Sequence, residues 1–219
     1  MKILIAYATC TGATQKIAER ISTRLTSSNI APETTTVLHP VLTQNPADFW
    51  HAASVSYNDI DISPFDAIVI GSAIQGQKWL PQAEKFIAKL KNENNVAEGT
   101  TSQSETNRGG NFDKPIFAFS VGAPKAMPLG MGNMLGRAEE KKLNKELKAK
   151  LGEQLKAHKL FEGVFREEML GKGGMSGVWR GLWRCLGGRF GEFLDFGEVD
   201  KWVDEIVVSE LKKGSAATG

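Results

Sequence analysis

A short run of threonines around a glycine is the stretch of this sequence best suited to hold an anion. It spans Thr9 to Thr14 (TCTGAT), between an apolar run, Met1 to Ala8, and a stretch with helical spacing, Gln15 to Leu25. The first backbone N–H groups of a helix have no partner within the helix, and the helix dipole favours negative charge there. Threonine hydroxyls can add donors, and Gly12 lets the backbone close around the anion. The pattern therefore predicts a phosphate-binding turn.

This turn differs from two other phosphate-binding patterns. No lysine follows it, as the G-x-x-x-x-G-K-[ST] loop requires, and it lacks the repeated glycines of G-x-G-x-x-G. The alternative is an ordinary strand–turn–helix connection with a threonine at the helix N-cap. A glycine-rich stretch at Gly130 to Gly136 has only the spacing of a dinucleotide fingerprint, because it does not directly follow a strand. We interpret it as a loop whose methionines suit an adaptable cover over a flat aromatic compound.

Apolar runs that contain β-branched residues alternate with amphipathic stretches along the rest of the chain. The predicted strands after the first are Thr34 to His39, Ala67 to Gly71, Lys114 to Gly122 and Lys159 to Arg166. The predicted helices after the first are Pro46 to Ser54, Pro81 to Lys91, Ala138 to His158 and Val199 to Leu211. This alternation calls for a parallel sheet with helices on both faces. We predict an α/β fold with a doubly wound, five-stranded parallel sheet.

Two segments interrupt the alternation of strands and helices. Residues 92–113 are rich in Asn, Ser, Thr, Glu and Gly, and their composition predicts a polar surface insertion. A helical insertion is predicted at about residues 170–190. We therefore predict one domain over residues 1–213 that carries both insertions, followed by a flexible tail, 214–219.

The turn at Thr9 to Thr14 resembles the phosphate loop of the flavodoxin family, which holds the monophosphate of FMN. Two further loops, Ser72 to Trp79 and Ser120 to Lys125, follow predicted strands at the same sheet edge and are spaced as in that family, where they flank the isoalloxazine ring. The resemblance implies a flavodoxin-like fold, with the strands of the sheet in the order 2-1-3-4-5, and FMN as cofactor. The cofactor-binding residues that it implies are Thr9, Cys10, Thr11, Gly12, Ala13, Thr14, Ser72, Ala73, Ile74, Gln75, Gly76, Gln77, Trp79, Ser120, Val121, Gly122 and Ala123.

The loop from Gly71 to Trp79 (GSAIQGQKW) is similar to that of the menaquinone-dependent protoporphyrinogen oxidase branch of the family. So is the order of the later pieces, with Phe119 to Val121, the strand Leu160 to Arg166 and a long insertion after it. This resemblance implies an FMN-dependent oxidoreductase that transfers two electrons to or from a bulky aromatic, porphyrin-like or quinone-like compound. The alternatives are a flavodoxin-type single-electron carrier and a flavin-free scaffold.

Two lysines are candidates for tuning the flavin. Lys78 and Lys125 lie in the loops expected to flank the ring, and a cation near the ring favours its anionic reduced form. We therefore assign catalytic roles to Lys78 and Lys125. The substrate-contacting candidates are Met127, Met131, Trp179 and Trp183.

The segment Met175 to Leu186 (MSGVWRGLWRCL) has two tryptophans on one helical stripe and arginines off that stripe. A basic helix with tryptophans can lie on a membrane surface. Alternatively, this helix packs on its own domain and forms a wall of the active site. A homodimer is a further alternative for the chain's partners.

Composition excludes several classes of function. The 27 Lys+Arg and 25 Asp+Glu residues are too balanced to favour nucleic acid, and this near-neutral charge differs from the acidity that is typical of single-electron flavodoxins. No run of eighteen apolar residues is present. The two cysteines, Cys10 and Cys185, have neither metal-ligand nor disulfide spacing, so no metal is expected. We expect a reducing, cytoplasmic location, with membrane-peripheral attachment as an alternative.

Overall fold

The structure, a computed structural model, describes residues 1–28, 34–42, 60–98, 114–167 and 177–217, without the side chains of 39–42, 93–98, 177–180 and 214–217. Its central strands are β1 (Lys2–Ala8), β2 (Thr35–Leu42), β3 (Ala67–Gln75), β4 (Lys78–Trp79), β5 (Ile116–Gly122) and β6 (Leu155–Glu162). Five of these strands form a parallel sheet in the order β2-β1-β3-β5-β6, and the two-residue β4 pairs antiparallel with β3. When β4 is left out of the count, the order is the predicted 2-1-3-4-5, so the predicted fold is confirmed.

Helices cover both faces of the sheet. They are α1 (Ala13–Ser27), α2 (Pro81–Glu98), α3 (Gly132–Leu151), α4 (Gly177–Cys185), α5 (Phe196–Trp202) and α6 (Ser209–Ala217), with a π-helical turn, Val203–Val208, between α5 and α6. Alternate residues of β1 enter two apolar clusters: Leu4 packs with the residues of α2 and α3, and Ile5 with those of α1 and the C-terminal helices. Because both faces are covered, the central strands β1, β3 and β5 are buried along most of their length rather than at alternate residues.

The boundary between α3 and β6 differs from the prediction. The helix predicted to end at His158 ends at Leu151, and the strand predicted to begin at Lys159 begins at Leu155. Gly152 has a φ of +60° and ends the helix. Leu155 continues the helical spacing of Leu151 and the leucines before it, and all of them enter the same apolar cluster. Spacing alone therefore could not separate the helix from the strand.

The predicted loop from Ser72 to Trp79 is mostly a hairpin. Strand β3 continues to Gln75, and Ile74 pairs with Trp79 of β4. The two residues of the turn, Gly76 and Gln77, have φ values of +58° and +62°. Two consecutive positive φ values are typical of the tight hairpin turn whose twist matches that of the strands. A rigid turn therefore presents residues 74–77 above the sheet edge.

The ends of several other helices and strands also differ from the prediction. Helix α2 continues to Glu98, into the predicted polar insertion, and the C-terminal helix continues to Ala217, into the predicted tail. The predicted last strand divides into β6 and the short β7 (Val164–Phe165), which pairs antiparallel with β8 (Gly191–Glu192). The predicted helix Pro46 to Ser54 lies outside the described residues. No described helix is long and apolar enough to cross a membrane.

Candidate functional site

A cavity of about 510 Å³ lies beyond the carboxyl ends of β1, β3 and β5. Its volume is in the range of small-molecule and cofactor sites, and its position is where open α/β sheets bind ligands. Eleven of the seventeen predicted cofactor residues line it: Cys10, Thr11, Ala13, Thr14, Ala73, Ile74, Gly76, Gln77, Val121, Gly122 and Ala123. The other six, Thr9, Gly12, Ser72, Gln75, Trp79 and Ser120, do not line it.

The turn after β1 is built as a helix start without a side-chain cap. The Thr9 hydroxyl accepts the N–H of Gly12 at 3.0 Å, which closes the turn, and Gly12 has a φ of +83°. Within the described residues, no side chain forms a capping hydrogen bond with the first N–H groups of α1, so these groups are available to a ligand. Thr9 and Gly12 therefore shape the turn, while Thr11 and Thr14 present their side chains to the cavity.

The hydroxyl of Thr14 is the clearest indication that this turn binds a ligand. Thr14 is only 1% exposed, and its Oγ1 is buried with no hydrogen-bond partner among the described residues. A buried polar group without a partner costs free energy, and such groups in native proteins are rare. Because Thr14 lines the cavity in the first turn of α1, a phosphate held by the helix N-terminus would supply the acceptor for this hydroxyl. The turn therefore fits the phosphate of FMN.

Cys10 lies in the same turn and lines the cavity. Burial raises the pKa of its thiol to about 11. The thiol therefore stays protonated at neutral pH and acts as a small apolar wall rather than a nucleophile.

Three of the predicted cofactor residues form hydrogen bonds behind the loops. The indole Nε1 of Trp79 donates to the Ser120 Oγ at 2.7 Å, and Trp79 is buried. The Ser72 Oγ accepts the N–H of Leu80 at 3.0 Å and donates to the carbonyl of Ala73 at 2.8 Å. The Trp79–Ser120 bond joins the β3–β4 hairpin to β5, and the two Ser72 bonds hold the base of the hairpin. Ser72, Trp79 and Ser120 thus position the loops that line the cavity.

The opposite wall comes from parts of the chain that the sequence analysis did not assign to the site. It consists of Pro124, Leu135, Ala138, Glu139, Lys142, Val164 and Phe165, together with the predicted Met127. Most of these residues belong to α3 or β7. The spacing i, i+3, i+4, i+7 places Leu135, Ala138, Glu139 and Lys142 on one helical face and could have indicated this wall, but the prediction began the helix only at Ala138. The structure begins it at Gly132.

A carboxyl and a cation meet the cavity one helical turn apart. Burial raises the pKa of the Glu139 carboxyl, and the nearby Lys142 ammonium opposes that rise. The Lys142 Nζ donates to the Gln77 Oε1 of the hairpin at 3.3 Å. Lys142 thus connects α3 with the β3–β4 hairpin beside the cavity.

The two lysines predicted to be catalytic do not line the cavity. Both Lys78 and Lys125 are exposed, Lys78 on the outer end of the hairpin and Lys125 in a 3₁₀ turn, Pro124–Ala126. The backbone N–H of Lys125 donates to the Glu162 Oε2 at 3.2 Å. The cation that lines the cavity is Lys142, from a helix that follows both loops in the chain.

Aromatic residues of the second insertion stand behind Phe165. The Phe165 ring stacks with the rings of Trp183 and Phe190, at centroid distances of 5.5 and 5.7 Å. Two backbone hydrogen bonds connect the insertion with the segment between β5 and α3. The N–H of Leu129 donates to the carbonyl of Leu186, and the N–H of Arg189 donates to the carbonyl of Ala126. Trp183 therefore supports the cavity wall from behind.

The remaining substrate candidates are placed differently. Met127 lines the cavity, whereas Met131 is 39% exposed and does not line it. The Trp179 side chain lies outside the described residues.

The sequence matches a known domain family. Residues 4–173, more than three quarters of the chain, match the family described as "Flavodoxin domain". No curated protein matches the sequence significantly.

Several solved structures are similar to this chain at low sequence identity. Rubredoxin oxygen:oxidoreductase from Desulfovibrio gigas is 14% identical with a TM-score of 0.53; the match covers 97% of this chain and 36% of that one. The chain thus spans about a third of that protein's length. A flavodoxin from the domain Archaea is 17% identical, with a TM-score of 0.41 and coverage of 74% and 85%. A short-chain flavodoxin associated with a bacterial microcompartment is 13% identical, with a TM-score of 0.47 and coverage of 95% and 98%.

Proposed function

Because this chain belongs to the flavodoxin domain family, with FMN as its cofactor, we propose that it is an FMN-dependent oxidoreductase that moves two electrons to or from a flat aromatic compound. The observation that carries this proposal is the second wall of the cavity. This wall contains the apolar residues Phe165, Leu135 and Met127, together with Glu139 and Lys142. It faces the loops at residues 9–14, 72–79 and 120–125. An apolar wall with one carboxyl and one cation suits an aromatic substrate whose reduction or oxidation moves protons as well as electrons.

The residues of the chain have separable roles in this proposal. Thr11, Thr14 and the N-terminus of α1 hold the phosphate of FMN, and bound FMN supplies the two-electron chemistry. Glu139, whose pKa is raised by burial, is the carboxyl at the cavity wall that can exchange a proton with the substrate. Lys142 contributes positive charge to the cavity, and its bond to Gln77 orients the ammonium group.

We further propose a porphyrin-like or quinone-like substrate, as in the menaquinone-dependent protoporphyrinogen oxidase branch. The stacked rings of Phe165, Trp183 and Phe190 support this proposal, because they make the wall broad, apolar and stiff. The large apolar residues Leu129, Met134, Leu182 and Leu186 are at least 40% exposed. The bond between Leu129 and Leu186 joins the two segments that carry them, which suits a lipid surface that delivers a quinone.

A redox titration of the FMN-loaded protein tests the two-electron assignment. An enzyme of the proposed type should be reduced in one two-electron step, with a slope of about 30 mV per tenfold change in the ratio of oxidised to reduced protein. Two separate steps of about 59 mV each would instead identify a single-electron carrier.

A substitution in the second wall tests the substrate site. Phe165→Leu should raise the KM for a quinone such as menadione and leave FMN affinity near that of the parent protein. The matched control is Phe193→Leu, which directly follows β8, the partner strand of β7, and does not line the cavity. Unchanged kinetics in Phe165→Leu would contradict the role of the second wall.

A further inference from the structure

We propose a second ligand site, for a small organic anion with a carboxylate or phosphate group, at the open edge of the sheet beside β6. It lies in a cavity of about 580 Å³, formed by α3, β6, α5 and the π-helical turn. This cavity shares no lining residue with the flavin cavity. The proposal therefore does not depend on the proposed oxidoreductase function.

Positive charge exceeds negative charge around this cavity. Four lysines line it, Lys148, Lys156, Lys159 and Lys201, against two glutamates, Glu198 and Glu205. Lys159 pairs with Glu198 at 2.9 Å, and Lys201 lies 4.0 Å from Glu205. The Lys156 Nζ donates to a backbone carbonyl. Within the described residues, no acceptor pairs with the Lys148 Nζ, so the site retains positive charge for an anion.

The hydrogen bonds of His158 leave a donor at this site. Trp79 can only donate to the Ser120 Oγ, and that hydroxyl lies 2.8 Å from the His158 Nε2. All three groups are satisfied when the serine hydroxyl donates its own proton to Nε2. The neutral ring then carries its proton on Nδ1, which is buried without a partner in the described structure. His158 lines the cavity, so an anionic oxygen bound there would be the acceptor that Nδ1–H lacks.

The backbone of β6 adds a second donor at the same place. β6 is an edge strand, and the N–H of Leu160 bonds the Glu140 Oε1 at 3.0 Å instead of another strand. Backbone groups two residues apart in a strand point to the same side. The N–H of His158 therefore points to the open edge as well, where the cavity lies.

The rest of the cavity suits the carbon skeleton of an organic anion. Trp202 and Ile206 line it, and Ile206 is 37% exposed. Ile206 and Glu205 are held there by the π-helical turn, Val203–Val208. π-helical turns inside helices occur frequently at functional sites. The volume is several times that of an inorganic anion, which leaves room for an apolar part.

The test uses the FMN-loaded protein, so that FMN occupies its own phosphate site. Benzoate and inorganic phosphate are titrated separately while the imidazole ¹⁵N resonances are recorded, and His158→Gln identifies the His158 signals. The expected result is an Nδ1–H tautomer in the free protein and a saturable shift of the Nδ1 resonance. Saturation by benzoate alone identifies a carboxylate site with an apolar part, and saturation by phosphate alone identifies a phosphate site.

Lysine variants separate a built site from general attraction to basic protein. Lys148→Gln and Lys201→Gln should each weaken binding about twofold to fivefold, as expected for partly exposed charges. The control is Lys145→Gln, an equal charge change on α3 at a residue that does not line the cavity. Absence of a saturable shift with both probes would overturn the proposal. Binding that is weakened equally by Lys148→Gln, Lys201→Gln and Lys145→Gln would also overturn the proposal.

Discussion

Replacing Thr14 by valine should change the free protein and the FMN complex in opposite directions. Valine has the shape of threonine, with a methyl group in place of the hydroxyl. In the described structure the Thr14 Oγ1 is buried with no partner, so the hydroxyl gains nothing there until a ligand arrives. With FMN bound, we expect the same hydroxyl to donate to a phosphate oxygen. The substitution therefore removes a cost from the free protein and a contact from the complex.

The two effects have separate magnitudes. A hydrogen bond to a charged group contributes about 1.5–3 kcal/mol, so FMN affinity should fall about 10- to 150-fold. An unpaired buried polar group costs about 1–3 kcal/mol. Part of that cost is recovered when a methyl group replaces it, and the free energy of unfolding of the FMN-free protein should rise by about 1 kcal/mol. For a chain of this length, that change corresponds to a rise of about 2–4 °C in melting temperature.

Flavin fluorescence titrations with FMN and with riboflavin isolate the phosphate contact. Riboflavin lacks the phosphate, so its affinity should be the same in the parent protein and in Thr14→Val. Thr26→Val, at an exposed hydroxyl on the same helix that bonds a backbone carbonyl, is the matched control. Equal losses of affinity for FMN and riboflavin would mean that the substitution distorted the cavity. No loss for FMN would refute the assignment of the phosphate site.

Two further predictions concern charged and titratable groups. Burial lowers the pKa of His158 to about 4, below the ordinary value of 6.5, so the unfolded chain takes up a proton before the folded protein does as pH falls. Between pH 7.5 and 5 the free energy of unfolding of the parent protein should therefore fall by about 2 kcal/mol more than that of His158→Gln, which is checked by urea denaturation at both pH values. Equal pH dependence in the two proteins would contradict the burial of this imidazole. Removal of the cavity cation in Lys142→Met should lower the two-electron reduction potential of bound FMN by about 20 mV, the equivalent of about 1 kcal/mol, while Lys145→Met should leave it unchanged. Equal potentials in both variants would mean that Lys142 is too well solvated to affect the flavin.

The sequence by itself determined those features whose cause lies within a few consecutive residues. A strand, a threonine-rich turn and a helix start follow one another directly, so the anion-binding turn could be predicted from local pattern. The alternation of apolar strands with amphipathic helices likewise predicted a parallel sheet, because a parallel strand pair requires a crossing connection, and the family resemblance supplied the strand order. The family resemblance added FMN to the local pattern, and the family match agrees with it.

Only the tertiary structure decided which side chains share the cavity. The local pattern put Lys78 and Lys125 next to the flavin because they lie in the flanking loops, but the direction of each loop leaves both in solvent. Lys142 and Glu139 line the cavity instead, because the N-terminal half of α3 borders it. The contacts of His158 with Ser120 and of Phe165 with Trp183 could not be predicted either, because the partners lie 38 and 18 residues away in the chain. Contacts between residues so far apart depend on how whole helices and strands pack, and the local spacing of residues does not determine that packing.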